Sequence, residues 1–310
     1  MKTKKKLTPA RKKAILKENL TGYAFISVNV IWILVFTLYP LIFSFTISFQ
    51  DWNPIGGGTF VGLKNFVDGL KDTMFHEALF NNFKYAIWTI LGGFILSYGA
   101  ALAVKALPIK RFLRFFYFLP SICSTVMIAM VWSYMLAPKV GLINSFLRLF
   151  GISEPPTWLS SSTWAPICLY FIVVWANLGY WMVVFLTGLL DIPETYYEAA
   201  KIDGSSMFHS FFKITLPLST PIIFFYLSMG LITCWGQFDM AVILASSSGV
   251  IGTGPDNSLL LPSYLIYRKA FGGSMEFGPA SATGWILTIF ILIIALVNNK
   301  LSKRWVCYDK

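Results

Sequence analysis

Six stretches of mainly apolar residues recur along the chain, and short segments rich in charged residues, glycine and proline separate them. A membrane-spanning helix needs about 20 mostly apolar residues, and each stretch is long enough and almost free of charge. The stretches cover residues 24–49, 83–107, 113–137, 163–190, 216–245 and 277–299. The second and third lie so close together, around Pro108, that they predict a tight helical hairpin. The pattern therefore predicts an all-α integral membrane protein with six spans.

The composition agrees with a membrane bundle. Charged residues make up only 13% of the chain and hydrophobic residues 56%, whereas soluble domains carry roughly a quarter charged residues. The pattern predicts one transmembrane domain over 20–300, after a basic segment 1–19 and before a tail 301–310. The first stretch has no small-residue cleavage site after a short apolar core, so we expect a retained span and not a signal peptide.

Lysine and arginine are concentrated on one side of the predicted spans. Basic residues in short loops mark the cytoplasmic side of a membrane protein, which predicts that both termini are cytoplasmic. The net charge of +11 then reflects topology and contact with membrane lipid. No aromatic interleaving or recognition fold indicates a nucleic-acid partner. The residues on this side are Lys2, Lys4, Lys5, Lys6, Arg11, Lys12, Lys13, Lys17, Lys105, Lys110, Arg111, Arg114, Lys201, Lys213, Lys300, Lys303, Arg304 and Lys310.

The sequence lacks the usual signs of an enzyme. It contains no G-x-x-x-x-G-K-[ST] motif, which argues against ATP binding through a P-loop. His76 and His209 are the only histidines and stand far apart, so no metal site and no catalytic set is predicted. Asp239 is essentially the only acidic residue within a span, and such scarcity weighs against membrane enzymes and ion-coupled transporters.

The loop at about 191–217 carries the most informative pattern. Asp191 is a plausible N-cap with Glu194 as its capping-box partner and Pro193 in the first turn. Gly204 marks the end of this first helix. A second short helix follows, with Pro217 at the opening of the fifth span. The apolar side of this second helix consists of Phe208, Phe211 and Phe212.

The pattern alone leaves two functions open for this loop. An amphipathic connector resting on lipid headgroups is one. The other is a docking surface for another protein, because Tyr197, Ala200 and Lys201 form a narrow face with small residues.

The same loop resembles the EAA motif of ABC importer permeases. Glu198-Ala199-Ala200, Asp203-Gly204 and Ile214-x-Leu216-Pro217 match its signature positions. The resemblance implies a six-helix type I ABC importer transmembrane domain with cytoplasmic coupling helices that dock in a groove of an ATPase subunit. By analogy Glu198 and Asp203 face the ATPase, and Gly204 makes the bend. The implied coupling residues are Tyr197, Glu198, Ala199, Ala200, Asp203, Gly204, Ile214, Leu216 and Pro217.

Segments near both ends resemble the carbohydrate-uptake branch of this family, of the maltose-F, lactose-F and glycerol-phosphate-A type. They are Leu38-Tyr39-Pro40-Leu41, Phe60-Val61-Gly62-Leu63-Lys64-Asn65-Phe66 and the run from Gly254 to Ala282. The resemblance implies a bacterial or archaeal cytoplasmic membrane and a second, different permease. It also implies two copies of an ATPase that bind ATP and magnesium, a solute-binding protein and a sugar substrate. No cofactor is expected on this chain.

Two spans present polar and aromatic residues at helical spacing, as expected of a solute path. The candidates are Asn177, Tyr180 and Trp181 on the fourth span and Gly230, Thr233 and Gln237 on the fifth, with Asp239 near the outer boundary. Aromatic faces beside amides and hydroxyls suit a sugar, and Tyr180 is the leading candidate. Interface anchoring and close helix packing are the alternatives for these residues, and many relatives leave recognition to the binding protein.

Three other functions remain open. A secondary transporter or channel would work without an ATPase. A membrane anchor for a signalling ATPase would have no solute path. An ABC permease for glycerol phosphate or another anion would place a cationic group in its cavity, but no Lys or Arg lies deep in the fourth to sixth spans.

Overall fold

The computed structural model describes residues 9–106, 110–248, 252–273 and 275–306. Pro108, Lys2, Lys4, Lys5, Lys6 and Lys310 lie outside these ranges, as do parts of the predicted segments 1–19 and 301–310. Four helices in the described ranges are long and apolar enough to cross a membrane, at Ile15–Ile47, Thr73–Lys105, Trp164–Leu190 and Phe277–Ser302. Two bent helix pairs bring the total to six if each pair is one span.

The helices are α1 Pro9–Ile33, α2 Tyr39–Ile47, α3 Lys64–Lys71, α4 Thr73–Ala106, α5 Lys110–Ile122, α6 Thr125–Met135, α7 Leu142–Leu149, α8 Trp164–Leu190, α9 Glu194–Ile202, α10 Met207–Ser210, α11 Leu216–Leu218, α12 Thr220–Thr233, α13 Asp239–Ser247, α14 Pro262–Phe271 and α15 Phe277–Ser302. Two π-helical turns, Leu34–Leu38 and Phe211–Thr215, join α1 to α2 and α10 to α11. Strands β1 Gln50–Asn53 and β2 Gly57–Phe60 form an antiparallel hairpin, in which Gln50 pairs with Phe60 and Asn53 with Gly57.

The third predicted stretch, 113–137, is a bent pair of helices and not one continuous helix. Helices α5 and α6 meet at an angle of 102°. Pro120 lies in the last turn of α5, where it removes a backbone donor, and Ser124 then adopts an extended conformation with ψ of 134°. The two halves therefore point in different directions although their composition is uniformly apolar.

The fifth apolar stretch, 216–245, is interrupted twice. A bend of 60° separates the helical run Met207–Leu218 from Thr220–Gly236, where α11 and α12 each carry a proline in the first turn. A second break follows the 3₁₀ turn Cys234–Gly236, because Gln237 is extended with ψ of 120°. Helix α13 begins only at Asp239, so this stretch is not the single helix that its composition suggests.

Helix α8 lies at the centre of the bundle and packs along α4. Met182, Phe185 and Leu189 on α8 are fully buried. On the α5 side, a Cβ at Gly179 would collide with the backbone of Tyr117 and Phe118. The glycine therefore allows the backbones of α5 and α8 to touch, as small residues do between membrane helices.

Buried asparagines fix the end of the bundle that carries the β-hairpin, which we call the hairpin end. Asn65 Nδ2 donates to the backbone oxygens of Ser48, at 3.0 Å, and Gln50, at 2.8 Å. Asn81 Nδ2 on α4 donates to the carbonyls of Asn257 and Leu260. These side chains satisfy backbone groups that would be costly to bury unpaired, and so they hold the irregular segments against the helices.

An ion pair also ties α14 to the start of α4 at the hairpin end. Lys269 Nζ lies 2.7 Å from Asp72 Oδ2 and 3.3 Å from Thr283 Oγ1 on α15. Burial alone would raise the pKa of Asp72, but the hydrogen bond and charge of Lys269 hold it below its ordinary value of 3.8.

This shift predicts an acid sensitivity at the hairpin end. A carboxylate with a lowered pKa stabilises the fold above its unfolded-state pKa, and that stability is lost as the pH falls below about 4. Asp72→Asn should cost about 0.5–1 kcal/mol at pH 6, and this cost should shrink steadily as the pH falls below about 4. Thermal unfolding of both proteins in detergent across this range is the measurement. A constant difference between them at every pH would contradict the assignment.

Candidate functional site

The loop between α8 and α9 differs from its predicted capping. Asp191 has helical dihedral angles and closes α8, with its N–H donating to Thr187 O at 3.1 Å. Pro193 occupies the N-cap of α9, and no side chain caps that helix. The predicted capping box of Asp191 and Glu194 is therefore wrong, because α8 extends to the position where the cap was expected.

Helix α9 ends at Ile202, two residues before Gly204, near which the sequence predicted its end. Gly204 has φ of +72°, a left-handed conformation that suits glycine. The Gly204 N–H donates to Lys201 O at 3.1 Å and the Ser205 N–H to Ala200 O at 2.8 Å, which satisfies the last carbonyls of the helix. A Cβ at Gly204 would meet no atom within 4 Å, so the backbone conformation and not space favours glycine here.

The second helical segment of the loop starts at Ser206, whose Oγ accepts from the His209 N–H at 3.2 Å. Its predicted apolar side is divided between two environments. Phe208 and Phe212 are 76% and 52% exposed, whereas Phe211 is half-buried and its ring lies 6.4 Å from that of Tyr98. Phe211 anchors the segment on the bundle, and the other two rings are free to meet lipid or protein.

The nine predicted coupling residues fall into two groups. Glu198, Ala199, Asp203 and Gly204 are exposed and are available to another protein. The others are partly buried and anchor the loop: Tyr197, Ala200, Ile214, Leu216 and Pro217. The expected outward face of Tyr197, Ala200 and Lys201 does not form, because the Tyr197 hydroxyl lies 3.0 Å from Thr215 Oγ1 inside the loop.

A cavity of about 190 Å³ lies between α4, α8 and α12, beside the second break of the fifth stretch. Five predicted solute-path residues line it: Asn177, Trp181, Gly230, Thr233 and Gln237. Gln237 belongs to the break itself, and non-helical backbone within a membrane is tolerated where it lines a cavity or is buried in protein.

Two predicted residues lie outside this cavity. Tyr180 is 45% exposed and packs edge-on against Trp181, with ring centroids 5.1 Å apart. Asp239 is the exposed first residue of α13. The geometry thus favours Trp181 over its neighbour Tyr180 as a lining side chain.

Helix α4 forms a wall of the cavity that the sequence analysis missed. Its lining residues Tyr85, Thr89, Gly93 and Ser97 recur every four positions, which is a stripe of small and polar residues on one helical face. Gly93 leaves room for the hydroxyl of Tyr226, which donates to Ile90 O at 2.8 Å. The four-residue spacing is visible in the sequence and could have identified this face.

The polar groups around the cavity are only partly paired. Asn177 Nδ2 donates to Val173 O and Thr233 Oγ1 to Met229 O. Ser97 Oγ and Gln237 Nε2 are buried and have no partner within the described residues. Buried polar atoms without a partner are rare, so these two are suited to pair with a bound molecule or water. No charged residue is among those that line the cavity in the described part of the chain.

Within the described ranges, no group of three or more His, Cys, Asp or Glu side chains could hold a metal ion. The chemistry available at the cavity is therefore hydrogen bonding and aromatic contact, and that at the loop is protein docking.

Comparison with known proteins agrees with this architecture. The family model described as "Binding-protein-dependent transport system inner membrane component" matches residues 93–306. The probable ABC transporter permease protein YesP of Bacillus subtilis (strain 168) is 35% identical, with 96% of each chain covered. The arabinooligosaccharides transport system permease protein AraP of the same organism is 31% identical, over 90% of this chain and 88% of AraP.

A solved structure confirms the fold. A chain of a bacterial ABC transporter involved in the import of the acidic polysaccharide alginate superimposes with a TM-score of 0.82, at 24% identity, over 95% of this chain and 99% of that one. The prediction of a six-helix ABC importer transmembrane domain is thereby confirmed. The chain belongs to the family of binding-protein-dependent transport system inner membrane components, which are permease subunits of ABC importers and not enzymes.

Proposed function

We propose that this permease carries a neutral sugar or oligosaccharide, and that the cavity between α4, α8 and α12 lies on its path. The observation that carries the proposal is the lining itself. Rings of Trp181 and Tyr226 adjoin the amides of Asn177 and Gln237, with unpartnered polar atoms on two sides. Sugars offer apolar ring faces and hydroxyl groups, so both kinds of contact match. The arabinooligosaccharide function of the relative AraP supports the same class.

The cavity is less well suited to bind an anionic solute. A buried charge requires a partner of opposite charge, and no Lys or Arg is among the described residues that line the cavity. The second permease could still supply a cation, so glycerol phosphate is the alternative to test directly. No carboxylate is among the described lining residues either, which equally disfavours a cationic solute.

The remaining parts of the importer follow as proposals. A second, different permease completes the pathway, two copies of an ATPase bind ATP and magnesium, and a solute-binding protein delivers the sugar. We place both termini in the cytoplasm, because Lys105, Lys201 and Lys213 of the predicted basic side lie beside or within the EAA loop. Helix α1 exposes apolar side chains along most of its length, as expected of a helix that meets lipid or another subunit.

The exposed group Glu198, Ala199 and Asp203 forms the docking surface for the ATPase. Closure of the two ATPases on ATP moves both coupling loops toward each other. Because Phe211, Leu216 and Tyr197 anchor the loop on the bundle, the movement reaches α8 and α12, which line the cavity. The permease thereby alternates between outward and inward access without performing chemistry.

The cavity assignment predicts a graded loss of uptake. Gln237→Leu removes one hydrogen-bonding group at similar volume, so the half-saturating sugar concentration should rise about tenfold at most. Trp181→Leu should have at least as large an effect, since it also removes a ring face. Tyr180→Leu, beside Trp181 but outside the cavity, is the matched control. Uptake is measured in cells that lack the native gene. The loss should be largest for Trp181→Leu, equal or smaller for Gln237→Leu and smallest for Tyr180→Leu.

A larger effect at Tyr180 than at Trp181 would place the path elsewhere.

Substrate class is tested with the same cells. Neutral oligosaccharides should compete for uptake of the labelled solute, whereas glycerol phosphate and uronate oligosaccharides should not. Competition by the anions alone would replace the sugar proposal with the anion alternative.

A further inference from the structure

Three side chains from different elements meet at the end of the bundle that carries the EAA loop. Lys105 comes from the last turn of α4, Tyr197 from α9 and Thr215 from the π-helical turn that leads into α11. Lys105 Nζ lies 5.0 Å from the centre of the Tyr197 ring, and the Tyr197 hydroxyl lies 3.0 Å from Thr215 Oγ1. We call this group the clasp.

The clasp also includes the end of α8. Lys105 Nζ donates to Leu189 O at 2.8 Å, one of the last carbonyls of that helix, where partial negative charge accumulates. Leu189 is fully buried and Thr215 is 6% exposed. A cation between a helix C-terminus and an aromatic face is stabilised by both, so Lys105 links α4 and α8 to α9 through one ammonium group.

Helix α9 has few other attachments to the bundle. The structure describes all of α9, and along it Tyr197 and Ala200 are the only residues that are not exposed. Ala200 has no polar side chain and little surface to offer. A displacement of α9 therefore reaches α4 and the turn before α11 through the side chain of Tyr197, and it reaches α8 also through the short backbone link that contains the buried Ile192.

We propose that Lys105 is a positioning residue for energy coupling: the clasp makes α9 move as one body with α4, α8 and the Phe211–Thr215 turn. This rests on the proposed docking of the ATPase on α9. Without the clasp, α9 would follow the ATPase while the spans around the cavity lag behind. Hydrolysis would then continue with less solute moved for each ATP.

The first test compares the amount of sugar transported for each ATP hydrolysed by the assembled complex in liposomes. Lys105→Met keeps the apolar stem and removes the charge. The amount of sugar transported for each ATP should fall about fivefold, in line with the loss of a partly buried cation–aromatic contact. Lys105→Arg should restore it. The control Lys300→Met makes the same change at an exposed lysine of α15 and should leave it unchanged. An unchanged ratio in Lys105→Met would overturn the proposal.

The second test addresses the contact between Tyr197 and Thr215 separately from that of Lys105, with more conservative substitutions. Tyr197→Phe keeps the ring for Lys105 and removes the hydroxyl, and Thr215→Val removes its partner. Each single variant should lower the amount of sugar transported for each ATP. The double variant should lower it no further, because both changes break the same contact. Independent, additive losses would show that the two residues do not act together.

A third measurement needs no solute. Spin labels on Thr195 of α9 and Ala103 of α4, both exposed, should show one narrow distance distribution with and without ATP. Lys105→Met should broaden it, and Lys300→Met should not. Equally narrow distributions in all variants would refute the clasp. A wild-type complex that transports no sugar would instead refute the proposed substrate, and the label distances would still decide on the clasp.

Discussion

Glu198→Arg is expected to abolish uptake while the permease still inserts in the membrane and binds its partner permease. Glu198 is exposed on α9, so the change costs the fold little. The proposed docking pairs Glu198 with a basic group on the ATPase, so reversal of the charge would place like charges together. Such a contact costs several kcal/mol, and uptake should fall at least about 100-fold. Uptake in cells, with the amount of membrane-inserted chain determined in parallel, is the measurement.

Glu18→Arg provides the matched control. It makes the same substitution at an exposed residue of α1, on the predicted cytoplasmic side but outside the coupling loop, and uptake should stay near the wild-type level. If Glu198→Arg transports normally, α9 does not dock on the ATPase. If both variants fail equally, the effect of Glu198→Arg reflects charge at this membrane side and not the loop.

Gly179→Val is expected to prevent correct packing of the bundle. A Cβ at this position of α8 would overlap the backbone of Tyr117 and Phe118 on α5, and the backbone cannot rotate away as a side chain could. Overpacking of this kind costs about 3 kcal/mol or more. The chain extracted in mild detergent should lose its single size-exclusion peak, or unfold at a much lower temperature than the wild type.

Gly99→Val tests whether this loss is due to packing and not to valine in a helix. Gly99 lies in α4, and a Cβ there would meet no atom within 4 Å, so the variant should be as stable as the wild type or slightly more stable. Equal destabilisation of the two variants would contradict the close contact of α5 and α8.

Long apolar runs could be predicted from the sequence, but their breaks could not. Trp164–Leu190 and Phe277–Ser302 match the predicted spans within a few residues, because desolvation of twenty apolar side chains dominates every local preference. The turns at Ser124 and Gln237 carry no comparable signal. Pro120 and Pro217 mark positions where a helix can bend, yet the angle depends on packing against α8 and α4.

In the loop 191–217, too, some features could be predicted from the sequence and others could not. Gly204 could be located, since a left-handed residue at a helix end has a strong sequence preference. An acidic residue favours a helix N-terminus, so Asp191 predicted the start of a helix. It closes α8 instead, because the backbone stays helical through Asp191 and its N–H donates to Thr187 O. Tyr197 faces inward for a tertiary reason: Lys105 and Thr215, remote in sequence, both meet it.

In the cavity, helical spacing identified one face of α8 and one of α12, but it could not distinguish Trp181 from Tyr180. Adjacent residues differ by about 100° around a helix, and the orientation of α8 about its axis is set by contacts such as that of Gly179 with Tyr117. The stripe of Tyr85, Thr89 and Ser97 on α4 was visible in the sequence and went unused, because an isolated stripe does not show which helix faces it.

ATP-driven transport by the complete complex is the most direct test of this account. The tagged chain would be purified from membranes with every protein that accompanies it, and placed in liposomes with the loaded binding protein. Recovery of a second permease and an ATPase, with sugar accumulation only when ATP is supplied on the EAA-loop side, is the expected result. Recovery of this chain alone, with sugar transport that continues without ATP, would contradict the account.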